Sequence, residues 1–107
     1  MAKAEEIGRR REELRSAYRV ACEHVSSILL AEDPVGIDPE QHRDEYEPEA
    51  GTIVPRLRNC RSVDEVRRMV HEEFVAWFGV VTAGPSEKYQ TIARRIWKEV
   101  VPGLTQS

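Results

Sequence analysis

The chain has 107 residues, 40% of them hydrophobic and 33% charged, with a formal net charge of −3 at pH 7. That length suits a single domain over residues 1–107 that buries a core without metal or disulfide staples, and the apolar content excludes a disordered chain. The acidic balance disfavours phosphate backbones, and no apolar run approaches the ~20 residues a membrane helix needs, so the expected partners are neither nucleic acid nor membrane.

The N-terminal MAKAEEIGRRRE carries charge without the apolar centre of a signal peptide. With Cys22 and Cys60 far apart and in no CxxC arrangement, the expectation is a cytoplasmic, bacterial-type protein with two reduced thiols.

From residue 4 to 31, Ile7, Leu14, Ala17, Tyr18, Ala21, Val25, Ile28 and Leu29 recur at three-, four- and seven-residue steps, predicting one long amphipathic helix. Glu5–Arg9, Glu6–Arg10 and Glu12–Arg15 suit its solvated face. The stripe thins before Leu14, so residues 1–12 are expected to fray or project. Pro34 ends the helix, because Asp33 before it is pushed toward extended geometry.

The stretch that follows is the most distinctive in the chain. Between Glu32 and Ala50 stand eight acids and one base, Arg43, a local charge of −7 that leaves +4 for the rest. Gly36 with Pro34 and Pro39 gives it turn chemistry, and Ile37 is expected to pack back onto the helices. Asp44 is placed to cap the second helix with Glu47 as its reciprocal partner. The rival start has Glu47 as the cap and Pro48 at the first helical position.

The second helix carries Tyr46, Ala50, Ile53, Val54 and Leu57 on one side. Pro55 removes a backbone donor and crowds the carbonyl of Gly51, predicting an irregular turn there. Ser62-Val63-Asp64-Glu65 reads as a capping box. It opens a helix whose inward stripe is Val63, Val66, Val70, Phe74, Trp77 and Phe78 and whose end is Gly79.

Val80 to Pro85 reads as a connector. Ser86 opens the last helix, with Tyr89, Ile92, Ala93, Ile96, Trp97 and Val100 inward. Pro102-Gly103 stops it and leaves residues 103–107 as a tail. Four apolar stripes and no period-two alternation predict an all-α, compact bundle of about four helices with a structured acidic loop between the first and second.

The site chemistry follows from what these groups can and cannot form. The loop acids could hold a divalent cation, but their spacing fails the EF-hand template. His24, His42 and His71 are scattered, and His71-Glu72-Glu73 is not HExxH. No GxSxG elbow or glycine-rich phosphate loop is present, so no catalytic residue, metal or cofactor is expected. Arg9-Arg10-Arg11 is interleaved with Glu5, Glu6, Glu12 and Glu13, which suits a solvated face or a helix that pairs with a second copy in a homodimer.

The leading reading is therefore a non-enzymatic protein-binding module. It presents Asp38, Glu40, Asp44, Glu45, Glu47 and Glu49 to a basic protein partner. The alternative is a small-molecule- or metal-binding helical domain with a pocket near Trp77 and Trp97. Arg67-Arg68 and Arg94-Arg95 are candidates to answer the acidic loop from within the bundle.

The string Asp33-Pro34-Val35-Gly36-Ile37, followed by Asp44-Glu45-Tyr46, Ile53, Leu57 and the Ser62 box, resembles a family of small all-helical bacterial proteins of unknown function, the YugE-like kind. The likeness spans about residues 20 to 78. Pro48, Pro55, the longer N-terminal arm and the Trp97 helix depart from the pattern. The resemblance implies a helical fold and, through its loose similarity to toxin-immunity proteins, inhibitor binding. It supplies no catalytic residue. Within the motif, Asp33 and Asp44 would brace the loop, Ile37 and Tyr46 would anchor it, and Glu45 would remain the most presentable charge.

Overall fold

A computed structural model describes the backbone of residues 2–36 and 46–105 and, within these, the side chains of residues 17–36 and 46–104. The described chain is all-helical and compact. Helix α1 runs Ala2–Glu32, α2 Glu47–Ile53, and a 3₁₀ helix Val54–Asn59 continues α2. Helix α3 is Val63–Phe78 and α4 Val80–Ala83; a 3₁₀ turn Ser86–Tyr89 leads into α5 Gln90–Glu99, followed by α6 Val101–Thr105. No strand occurs among the described residues.

The α1 helix is unbroken, as its apolar spacing predicts. Its 31 residues span about 46 Å at the ordinary rise per residue, against a longest molecular dimension of 54 Å. Ala21, Val25, Ile28 and Leu29 are buried, Tyr18 is partly so, and Ala17, expected inward, is exposed. The helix ends at Glu32, but Asp33 is not extended. It adopts φ +46°, with its amide still donating to the Leu29 carbonyl at 2.8 Å. A left-handed residue closing the last helical turn thus prevails over the local preference of a residue before proline.

Helix α2 begins at Glu47 with Tyr46 in the capping position and no side-chain cap, which is nearer the Pro48 start than the Asp44 one. Asp44 itself lies outside the described residues. The irregularity expected at Pro55 is present: the α-helix tightens into 3₁₀ turns from Val54. Pro55 stands at this switch from α to 3₁₀ geometry, where its missing donor interrupts the α-helical ladder.

At the start of α3 the Ser62 hydroxyl accepts from the Glu65 amide at 3.2 Å. The Glu65 carboxylate accepts from the Arg61 amide rather than from Ser62 itself, so the capping box is shifted by one residue. Val66, Met69, Val70 and Phe74 form the buried face of α3. Met69 joins the expected stripe and Trp77 leaves it.

Two further differences lie at the C-terminal end. The connector after Gly79 contains the one-turn helix α4, and Pro102-Gly103 do not stop the chain but fall within α6. Pro102 occupies the first turn of that helix, whose amides have no intrahelical acceptor. Four long apolar stripes thus correspond to six α-helices and two 3₁₀ segments among the described residues.

The core lies where α3 packs on α5 and α1 crosses α2 and α5. Phe74 is its hub, with ring centroids 6.0 Å from Tyr46, 5.5 Å from Phe78 and 5.2 Å from Tyr89, tilted contacts of the favourable aromatic kind.

Candidate functional site

Both ends of the acidic stretch are fixed. After α1, Asp33-Pro34-Val35-Gly36 turns back on itself, with the Gly36 amide 3.3 Å from the Asp33 carbonyl. Gly36 takes φ +71°, a conformation glycine adopts without strain. Where the chain returns, Tyr46 is fully buried, and its hydroxyl donates to Asp33 Oδ1 at 2.9 Å. Burial drives the Tyr46 pKa well above the ordinary phenol value, and the Asp33 carboxylate adds to the rise. The hydroxyl is therefore a permanent donor at any physiological pH. Pro34 is buried.

Of the predicted structural residues, Asp33, Pro34, Gly36 and Tyr46 therefore form one junction, while Ile37 lies outside the described residues. So do Asp38, Glu40, Asp44 and Glu45 among the predicted binding acids. Glu47 is exposed at the start of α2. Glu49 is not available as a surface charge: it is only 4% exposed. It lies on the side of α2 that buries Ala50 and Ile53, close enough to Tyr46 to raise the tyrosine pKa further.

Of the cations named as internal counterparts, Arg95 does meet an acid at the edge of the stretch, Glu32, while Arg67 is engaged outside it. Arg95 pairs with Glu99 at 3.0 Å and Glu32 at 3.6 Å. Arg67 reaches Asp64 at 3.4 Å and donates to Gln90 at 3.2 Å. Arg56 clasps two acids of α3: Nη2 lies 2.8 Å from Glu72 and Nη1 2.8 Å from Glu73. His24 meets Glu99 at 3.0 Å. Arg95 and then His24 hold the Glu99 carboxyl below the usual carboxylate range.

The two indoles stand on different helices, Trp77 on α3 and Trp97 on α5. Trp77 is 46% exposed and donates from Nε1 to Thr52 Oγ1 at 3.1 Å, which ties α3 to α2. Trp97 packs against the core from the side of α5. A cleft of about 300 Å³ lies between α1 and α6, lined by Ala17, Val20, Ala21, Val100 and Leu104 with His24 and Glu99 at its edge. Cys22 and Cys60 are both free thiols, each raised in pKa chiefly by burial. Among the described residues no group of three His, Cys, Asp or Glu side chains is placed to hold a metal ion, and no helix is long and apolar enough to cross a membrane.

Sequence periodicity missed one surface feature, an exposed apolar corner formed by Trp77, Val80 and Val81. The adjacent valines following Gly79 were its one visible signal. Compared with protein-family models, with curated proteins and with solved structures, the chain matches none.

Proposed function

We propose that the chain is a non-enzymatic binding protein that sets its acidic segment against a basic surface of another protein. The observation that carries this reading is the Tyr46–Asp33 hydrogen bond of 2.9 Å. It pins together the two points between which residues 37–45 run, a stretch with four acids and one arginine. A charged segment with both ends fixed loses less conformational entropy on binding than a free one. Charge of one sign steers association with an oppositely charged partner. Exposed Glu47 extends the charge to the start of α2.

Arg56 and Arg67 are engaged with acids outside the segment, and Arg95 meets Glu32 at its N-terminal edge. Neutralisation of a toxin, in the manner of an immunity protein, is one version of this function. It rests on the resemblance of the DPVGI…DEY string to the YugE-like family. The test is affinity capture from the native lysate at low salt, with wild type beside an Asp38→Lys/Glu40→Lys/Glu45→Lys variant. A basic protein held by the wild type and lost by the variant supports the reading. Identical retained proteins in the two lanes would overturn it.

A further inference from the structure

Helix α4 is a single turn, Val80–Ala83. Forming one turn orders three residues for one hydrogen bond, so an isolated turn is not stable in water. This one closes the Ala83 amide onto the Gly79 carbonyl at 3.0 Å and the Gly84 amide onto the Val80 carbonyl at 3.1 Å. Three of its four residues face solvent: Val80 is 71% exposed and Val81 95%, and Thr82 is exposed as well. Ala83 alone is buried. Little apolar burial therefore holds α4 to the bundle.

Glycine stands at both ends of the turn. Gly79 joins α3 to α4 at φ +86° and ψ 163°, and Gly84 leaves α4 at φ +74° and ψ −166°, a region open essentially to glycine. Neither is wedged among packed atoms. A Cβ at Gly79 would meet nothing within 4 Å, and one at Gly84 would touch only the flexible Lys88 side chain, at 3.5 Å. Small residues at the ends of elements are where a hinge absorbs backbone rotation most readily.

Two side chains from other elements hold the C-terminal end of α4. The Tyr89 hydroxyl donates to the Ala83 carbonyl at 2.5 Å. His71 Nε2 lies 2.9 Å from the Gly84 carbonyl, which can only accept, so Nε2 carries the proton. Both donors are fixed in the body of the fold. Their rings lie 5.6 Å apart, and Tyr89, fully buried, packs on Phe74 at 5.2 Å.

We infer that α4 is a latched flap: it swings out as a unit about Gly79 and Gly84 while the rest of the bundle stays folded, and the Tyr89 and His71 hydrogen bonds are the latch that keeps it closed. Opening withdraws Ala83 from the bundle and parts the Tyr89 hydroxyl from its acceptor, so it uncovers the end of a ring that is otherwise fully buried. Segments with few buried apolar contacts and solvent-exposed backbone bonds are those that open below the global unfolding free energy.

The test is amide hydrogen exchange of the full chain, followed by NMR without urea and at urea concentrations below the unfolding transition. The Ala83 and Gly84 amides close the turn and report on α4; the Phe74 amide, in the middle of α3, reports on the core. In the wild type, Ala83 and Gly84 are expected to be at least about tenfold less protected than Phe74. Their exchange should hardly respond to urea, because little surface is exposed when α4 opens, whereas that of Phe74 should accelerate steeply. Tyr89→Phe and His71→Leu each delete one latch bond and should speed exchange at Ala83 and Gly84 by about tenfold. Val81→Ser, on the solvent side, should leave it unchanged.

The urea series on the wild type decides the question without any variant. If Ala83 and Gly84 respond to urea as steeply as Phe74, α4 opens only when the whole chain unfolds, and there is no flap. A shallow response with exchange unchanged in both latch variants would overturn the role of Tyr89 and His71. An equal acceleration in Val81→Ser would trace the effect to the turn's own helix propensity, and the latch would fall with it.

Discussion

The Tyr46 hydroxyl donates to Asp33 Oδ1 at 2.9 Å, joining residues thirteen positions apart. Asp33 is also the left-handed residue that ends α1, at φ +46°, and Tyr46 is the residue from which α2 starts. One hydrogen bond therefore joins the end of α1 to the start of α2. The string DPVGI…DEY gains a structural meaning in this way: its first aspartate and its tyrosine are partners.

Tyr46→Phe removes this bond while leaving the ring against Phe74, and it leaves Asp33 Oδ1 without that donor. The expected loss is about 1–2 kcal/mol of unfolding free energy, measured by urea denaturation. Asp33→Ala, which removes the acceptor, should cost at least as much. The double variant should cost clearly less than the sum, since the two changes delete one shared interaction. Strict additivity would show that the bond contributes nothing to the fold.

The buried phenols set a pH dependence on the alkaline side. Burial pushes Tyr89 up to about 12 and Tyr46 higher still, whereas an unfolded tyrosine titrates near 10. The folded values are raised, so both contributions are fully present below pH ~10 and are lost as pH rises through the folded pKa values. Thermal stability should fall from pH ~10 upward, each tyrosine adding a slope of about 1.4 kcal/mol per pH unit. In Tyr89→Phe the decline should be shallower. An unchanged decline would assign it to other groups.

Gly79 and Gly51 make opposite predictions. Alanine at Gly79 meets no atom within 4 Å, but it must adopt φ +86° with ψ 163°, which costs roughly 1–3 kcal/mol. Gly51 lies inside α2 with equally open space around it, and alanine there should stabilise by about 0.5–1 kcal/mol. Melting temperatures should move down and up respectively, by about 4–8 °C for each kcal/mol. Two shifts of the same sign would contradict the backbone assignment.

What the sequence made legible was the part governed by long-range periodicity. The α1 stripe has no proline to interrupt it. The α3 boundaries are marked by Ser62 and Gly79, and the inward faces of α3 and α5 follow from residues such as Val66, Phe74, Ile92 and Ile96. Elements shorter than two turns were not legible: Val80–Ala83 has no period to read, and Pro102 looks like a stop unless it stands in a helix's first turn, as it does here. Charge alone did not separate Glu49 from Glu47. Which of two nearby carboxylates is buried depends on how α2 is rotated against its neighbours, a tertiary fact. Trp77 was misplaced for the same reason. It sits at the margin of the α3 stripe, and the neighbouring α2 offers it the Thr52 hydroxyl rather than an apolar socket.

The contrast between Phe74 and Trp77 tests that division of the α3 face directly. Phe74 is fully buried and touches the rings of Tyr46, Phe78 and Tyr89. Phe74→Ala should open a cavity at the hub and cost about 3–5 kcal/mol, measured by denaturant unfolding. Trp77 is the larger side chain, so a uniform apolar stripe would make its truncation the more damaging. Its indole is 46% exposed and held by one hydrogen bond to Thr52, so Trp77→Ala should cost only about 1 kcal/mol. A loss at Trp77 matching that at Phe74 would return the indole to the core and remove the exposed corner from the surface.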